Sequence, residues 1–473
     1  MASAQEIVFL NWLRENGAKI GKLDWPSVDP GTDSRGAIAN KDIETGEFML
    51  EIPSKLMMSP VDAFSDEDIG EILLVHKDML RGDTLLTVYL MHERQKQNQS
   101  FYYPYIAILP EINNISEWTD DELALLQDSD IIARSHVIRR NLRTTFDRTV
   151  VKLQEQYPHQ FSPEKFSFQS FVFCWFTIQA RAFGRRLPWT ALVPFADCLN
   201  HGNLQTKYDY NTENNQTFRL FPTGTNNYKM GCEVFNSYGR RPNDNLLLEY
   251  GFAMLDNEWD DLSLTLSLTK RLGLFDEKVA VISSFKWIFS RSYLFCLREF
   301  PMEALSFLRV CVCESLEELN YLQLKGKRCV VSLNNELRAL QHFVAELKLF
   351  YIDLCRQSSQ VADAELLQLL NRKEYIAPAD DFRRQDRVQS AVVYRLTRKN
   401  IACQTINRLQ IAIEILSAVT FAEDLVTEGS FNVIKRPFDD LNPIAKDLIS
   451  AILLKGHAYS KYFEPLLSPF IEY

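Results

Sequence analysis

The chain has 473 residues, 46% of them hydrophobic and 24% charged, a globular balance that excludes wholesale disorder and a small stapled module. At roughly 100 to 200 residues per domain, the length predicts two or three cores. Lys and Arg total 52 against 62 Asp and Glu, and the net charge of −10 argues against a general nucleic-acid backbone binder and for a protein or small-molecule partner.

The 9 cysteines are odd in number and sit mostly among apolar neighbours, which points to reduced, intracellular usage. The N-terminal run MASAQEIVFLNWLRENG places Glu6 where a signal peptide carries a basic residue and breaks its apolar core early. No stretch approaches the roughly 18 to 20 uncharged apolar residues of a membrane span. The expectation is a cytoplasmic, or also nuclear, protein with no membrane and no nucleic-acid partner, acting as a monomer.

In chain order, Ile7, Leu10 and Leu13 predict a short amphipathic helix ended by Gly17. Residues 33 to 60 alternate short apolar runs with turn residues and predict two strands joined at Thr45-Gly46. Helix returns over about Glu67 to Arg94, then SFYYPYIAILPE reads as an ordered non-helical segment between Pro104 and Pro110. Thr119 and Glu122 have the capping-box spacing and open a helical stretch to about Gln156. The aromatic segment 166 to 184 predicts a buried helix. Residues 192 to 251 are strand and loop, and helical blocks follow near 276–298, 301–320, 333–356, 363–372, 382–400 and 402–421.

This order predicts an α+β domain followed by an all-α domain. The two strand-rich stretches are each too small for a core, so they are expected to complete one sheet system, with the helices between them as an insertion at about 80–185. The boundaries drawn are 1–262 and 263–473.

Walker A, GxSxG, HExxH and GxGxxG signatures are all missing from the sequence, which removes the standard nucleotide and hydrolase classes. The pair Cys311 and Cys313 has no further ligands at zinc spacing and reads as core packing. Polar and aromatic residues cluster instead in Asp197-Cys198-Leu199-Asn200-His201-Gly202-Asn203, Cys232-Glu233-Val234-Phe235-Asn236-Ser237-Tyr238-Gly239 and Leu248-Glu249-Tyr250-Gly251-Phe252.

With DSRGA near the N-terminus and ARAF at 180–183, these pieces stand in the order found in SET-domain protein methyltransferases. The chain resembles the branch of the Rubisco large-subunit lysine methyltransferase and the actin-histidine methyltransferase, over nearly its whole length. The resemblance implies a strand-rich SET core with a helical insertion and a pseudoknot, followed by an all-α substrate-binding domain. It also implies S-adenosylmethionine as cofactor, S-adenosylhomocysteine as product and no metal. The partner implied is a protein substrate that enters the SET channel and docks on the C-terminal helices.

By the same resemblance, Asp33, Ser34 and Arg35 hold the cofactor's amino-acid end, with Asp33 standing where the family often has Glu. Asn200 and His201 fix its amine and adenine. Tyr238 is the catalytic tyrosine beside the transferring methyl. Main-chain carbonyls of Ala180, Arg181 and Asp197 surround the acceptor nitrogen, and Tyr210 and Tyr250 wall its channel, with Tyr208 an alternative to Tyr210.

Phe183 and Tyr250 favour lysine as acceptor, since the actin-histidine branch has asparagine at the first position and lacks the second tyrosine. The absence of cysteine-rich zinc-binding flanks favours a folded non-histone substrate. Histidine methylation and a non-catalytic SET scaffold that binds proteins through residues 262–473 are the alternatives.

Overall fold

The computed structural model describes residues 2–28, 35–211, 216–224, 226–299, 301–375, 384–418, 436–440, 443–450 and 471–472. Two compact units partition the chain. The first comprises Met1–Asn257 and Glu365–Tyr394, and the second Glu258–Ala364 and Arg395–Tyr473. Among the described residues, no helix is long and apolar enough to cross a membrane.

In the first unit, helix α1 (Ala4–Glu15) opens on a capping box in which Ser3 and Glu6 each satisfy the other's backbone N–H. It buries Phe9, Trp12 and Leu13 and ends before Gly17, whose φ of 88° suits glycine. The strands are β1 (Leu23–Val28), β2 (Arg35–Ala39), β3 (Leu50–Pro53), β4 (Thr206–Asn211), β5 (Thr217–Pro222) and β6 (Glu233–Val234). They form two three-stranded sheets, ordered β1-β2-β6 and β3-β5-β4.

Each sheet combines strands from both strand-rich stretches, so neither stretch folds without the other. The tight turn expected at Thr45-Gly46 does not make a hairpin. β2 pairs with β1 and β6, whereas β3 pairs with β5. A turn signal identifies a reversal of direction but not the partner, and here the buried faces of β2 and β3 are completed by strands some 170 to 200 residues away.

The insertion is helical as expected. The stretch from Glu67 gives a short helix, Gly70–Val75, then a non-helical break over residues 76–82, after which α2 (Asp83–Lys96) runs to the end of the pattern. Pro104 lies in the first turn of a short helix, Tyr103–Ile106, where a missing N–H costs nothing, so this segment is not the non-helical one expected. The Thr119–Glu122 capping box is formed. The long helix α3 (Ser129–Arg148) follows, and the aromatic segment becomes α4 (Phe168–Arg181), packed along α2.

Residues 384–394 join this unit. Arg387 pairs with the buried Glu122 at 2.5 Å, the Tyr394 hydroxyl donates to Asp128 at 2.7 Å, and Ala391 packs with Trp118, Leu123 and Leu247.

The second unit begins with an antiparallel pair, β7 (Asp261–Ser267) and β8 (Ser290–Cys296), with α5 (Phe275–Ser284) between them. The helix expected over 276–298 therefore stops at Ser284. In β8, Tyr293 and Phe295 are buried while Ser292 and Leu294 are exposed, a period of two that the apolar content of the segment obscured.

The block 301–320 is also two helices: α6 (Met302–Cys311), then a restart at Leu316 where the Ser315 hydroxyl accepts the Glu318 N–H. Cys311 and Cys313 are buried and form no disulfide, and burial pushes both thiols up to about 12. Facing α6, α7 (Leu333–Leu354) brings Glu336 onto Arg309 in a two-armed, fully buried pair at 2.7 and 2.8 Å. The blocks 382–400 and 402–421 form one helix, α8 (Gln385–Ala418), as far as the described residues extend.

Candidate active site

The site is assembled around residues 195–201, at the end of an apolar run. Phe195 is fully buried at φ 75°, a conformation that L side chains rarely adopt, and the turn Ala196–Cys198 follows it directly. This reversal turns Asp197 inward. Its carboxylate accepts from the Tyr105 hydroxyl at 2.8 Å and pairs with Arg181 Nη1 at 3.1 Å, while its carbonyl accepts from the same Nη1 at 2.9 Å. The Asp197 side chain is fully buried. Burial opposes the Arg181 charge, but Asp197 outweighs it, so the guanidinium is held more firmly protonated than usual. Burial drives the Tyr105 phenol well above its ordinary value.

Two separated backbone segments meet just beyond. Asn236 N–H donates to the Asn200 carbonyl at 2.8 Å and Gly202 N–H to the Asn236 carbonyl at 3.1 Å, so residues 200–202 run parallel to 236–238. That register lays three rings in a row. Tyr238 stacks on His201 at 5.0 Å and 20°, and on its other side Tyr250 stacks on Tyr238 at 4.9 Å and 27°. Tyr250 ends a π-turn, Leu246–Tyr250, closed by Gly251 in the left-handed conformation at φ 81°.

His201 Nδ1 lies 3.1 Å from the Tyr238 N–H and 3.4 Å from the Asn236 carbonyl; a backbone N–H can only donate, so on the shorter contact Nδ1 accepts and the neutral ring is assigned its proton on Nε2, which is buried without a partner. Burial lowers the His201 pKa below its usual 6.5, against the opposing Asn236 carbonyl and with a smaller contribution from Arg241. The Tyr238 hydroxyl donates to the Leu199 carbonyl at 2.8 Å, and burial holds it far above the ordinary phenol range.

One pocket collects most of the expected residues. Ala180, Arg181, Asp197, Tyr238 and Tyr250 line it together with Arg35 and Asn200. His201 stands one ring behind, against Tyr238. Arg35 is anchored by Glu6 at 3.0 Å and by the Ile108 carbonyl at 3.0 Å, and lies 5.6 Å from the centre of the Trp25 ring.

Asp33 and Ser34 lie outside the described residues. Tyr208 and Tyr210 share one face of β4 but are not in the pocket lining. Tyr208 packs on Phe183 and Phe218, and Tyr210 on Trp189 at 5.6 Å.

The motifs assign no role to Tyr105, Glu6 or Glu233, although Tyr105 lies in SFYYPYIAILP and Glu233 in the run 232–239. The last accepts from Asn200 Nδ2 at 2.8 Å. Gly36 is a further trace of that pair, since a Cβ there would meet both side chains. Arg181 was singled out for its carbonyl, whereas its guanidinium is the larger feature of the site.

Among the described residues, one group has metal-ligand spacing: Asp66, Asp68 and His92. It lies apart from the pocket, and Lys96 Nζ sits 2.6 Å from Asp66 and 2.7 Å from Glu93, supplying the cluster with its own cation.

This architecture is the SET-domain fold. A solved structure of Rubisco LSMT bound to AdoMet superposes with a TM-score of 0.60 at 22% identity, covering 91% of this chain and 98% of that one. The SET domain of LSMT bound to methyllysine and AdoHcy gives a TM-score of 0.61 at 22% identity.

In sequence the chain is similar to the Rubisco large subunit N-methyltransferase of Pisum sativum, at 26% identity over 316 residues, covering 64% of this chain and 62% of that protein. It is equally similar to the actin-histidine N-methyltransferase of Homo sapiens, at 26% identity over 324 residues, covering 66% and 53%. The matches thus span less than two thirds of either relative. No family model matches the chain.

Proposed function

We propose that the protein is an S-adenosylmethionine-dependent protein N-methyltransferase that modifies a lysine of a folded protein. The observation that carries this reading is the convergence of Asn200, Tyr238, Tyr250 and the Ala180–Arg181 helix end on one pocket, with the unpartnered His201 Nε2–H beside it. An orphaned buried donor needs an acceptor, and a purine ring nitrogen is of the right kind. His201 and Asn200 would hold the cofactor, with Arg35 at its amino-acid end.

The cofactor, when bound, supplies a methyl group on a sulfonium, which needs alignment more than acid–base help. The residues suit that task. The Tyr238 proton is committed to the Leu199 carbonyl, so its oxygen lone pairs are left to accept weak C–H···O contacts, and it does not serve as a base. The Arg181 guanidinium pins the Asp197 carbonyl, with its charge balanced by the Asp197 carboxylate at 3.1 Å. An ammonium has no lone pair for the displacement, so the acceptor nitrogen must lose its proton to solvent before it attacks. No metal enters this scheme.

Lysine is favoured over histidine by Tyr250 in the pocket and by Phe183, which is buried edge-on to Tyr208 and Phe218 and offers no polar atom to a second imidazole nitrogen. The similarity to actin-histidine methyltransferases supports histidine as the second reading.

The test is incubation of the purified protein with labelled S-adenosylmethionine and lysate of its own organism, followed by mass spectrometry of the labelled peptide. A methyl-lysine supports the reading, and a methyl-histidine replaces it with the second. No transfer together with no calorimetric binding of the cofactor sinks both and leaves a protein-binding scaffold.

A further inference from the structure

The Asn200 amide can face only one way. Its Nδ2 donates to Glu233 Oε1 at 2.8 Å, and among the described residues no hydrogen bond reaches its Oδ1. A carboxylate only accepts, so the reversed amide would set oxygen against oxygen. The pair is also sterically confined, because a Cβ at residue 36 would collide with Glu233 Oε1 and approach Asn200 Nδ2 to 3.0 Å. Asn200 lines the pocket and Glu233, on β6, does not. Whatever Glu233 does for the site, it does through Asn200.

Resting on the cofactor site proposed above, we propose that Glu233 is a positioning residue that keeps Asn200 Oδ1 turned out as an acceptor and so makes this end of the pocket selective for a ligand bearing a cationic amine. An amide free to rotate would present Oδ1 or Nδ2 and would greet an amine or a carboxylate alike. With Glu233 in place only the acceptor is available, and the carboxylate behind it adds negative charge on the same side. Gly36 is then part of the same device, since it leaves room for the two side chains to meet over the backbone of β2.

The test is calorimetric titration of the full chain with two ligands at one pH. S-adenosylhomocysteine carries the α-amine. The thioether of adenosine with 4-mercaptobutyrate keeps the nucleoside and the carboxylate and lacks only the amine. The variant Glu233→Gln preserves size and still bonds Asn200, but through oxygen or nitrogen, so both amide orientations become available.

The expected result is about a tenfold loss for S-adenosylhomocysteine, on the scale of one hydrogen bond to a charged group, and less than about twofold for the deaminated ligand. Glu233→Asp, which keeps the carboxylate, should recover part of the loss. Equal losses for both ligands, or none, overturn the proposal. If Glu233→Gln fails to fold, the wild-type protein decides, since equal affinity for the two ligands also overturns it. Failure of the wild type to bind either ligand removes the cofactor site itself, a different outcome.

Discussion

Tyr238 is tied to His201 twice, by ring stacking at 5.0 Å and by its backbone N–H, which donates to Nδ1 at 3.1 Å. The second tie works only while the imidazole is neutral. A protonated ring would turn an N–H toward the Tyr238 N–H and lose that hydrogen bond, leaving the register between residues 200–202 and 236–238 to the backbone bonds alone.

The consequence is acid sensitivity with a definite sign. Burial lowers the folded-state pKa of His201 below 6.5, so above that value neither state binds the proton and stability is level. As pH falls below 6.5 the unfolded chain takes up a proton that the native state resists, and stability drops until the folded pKa is passed. His92 is lowered by burial in the same direction. Calorimetric melting should therefore give a Tm that falls from pH 7 to pH 5, and His201→Asn, whose side-chain oxygen can take the Tyr238 N–H, should lose less over that interval.

Tyr238→Phe tests the methyl-facing role. The stack with His201 and Tyr250 survives, so cofactor affinity should change by less than about threefold, while the orphaned Leu199 carbonyl costs about 1 kcal/mol of stability. Transfer to the identified substrate should fall by on the order of 10²-fold, the scale of a misaligned in-line displacement. Undiminished transfer would remove the tyrosine from the mechanism.

The position of Tyr250 depends on Gly251. At φ 81° an alanine is strained, and its Cβ would lie 2.6 Å from the Asn113 carbonyl carbon and oxygen. Gly251→Ala should cost more than about 1 kcal/mol in urea unfolding and raise the KM for the protein substrate, because the π-turn that presents Tyr250 must shift. An unchanged KM would separate Tyr250 from acceptor binding.

Arg309 and Glu336 provide a control in the second unit. Both side chains are buried, and Glu336→Gln leaves the guanidinium charge without its counter-ion, at a cost of about 3–5 kcal/mol. Denaturant unfolding should register that loss while S-adenosylhomocysteine affinity at 20 °C stays within error, since every residue assigned to the pocket lies in the first unit.

Sequence carried the site further than it carried the fold. Asn200, Tyr238 and Tyr250 were identifiable because local motifs surround them, and the pocket collects all three, with His201 behind. Tyr105, 92 residues from Asp197, and Glu233, 33 residues from Asn200, lie within SFYYPYIAILP and the run 232–239, but nothing local to either names its partner. They are chosen by strand pairing and helix packing that periodicity does not encode. Partner choice also explains why β2 and β3 were expected as one hairpin. β8 was misread for another reason: Ser290–Cys296 is short, apolar and continuous with α5, and for such runs length and alternation give opposing answers.

The docking of residues 384–394 onto the Trp118 cluster has a consequence for biosynthesis. Glu122 lacks its Arg387 counter-ion, and Trp118, Leu123 and Leu247 lack part of their cover, until residue 394 has left the ribosome. At roughly 5 to 20 residues per second, that is an interval on the order of ten seconds after the last pocket residue has emerged. During it the nascent chain carries a finished set of pocket side chains on an unfinished apolar surface, the kind of species that chaperones hold. Fragments ended near residue 262 would remain in that condition permanently, and low solubility of such a fragment would reflect this missing segment and not a defect in the pocket.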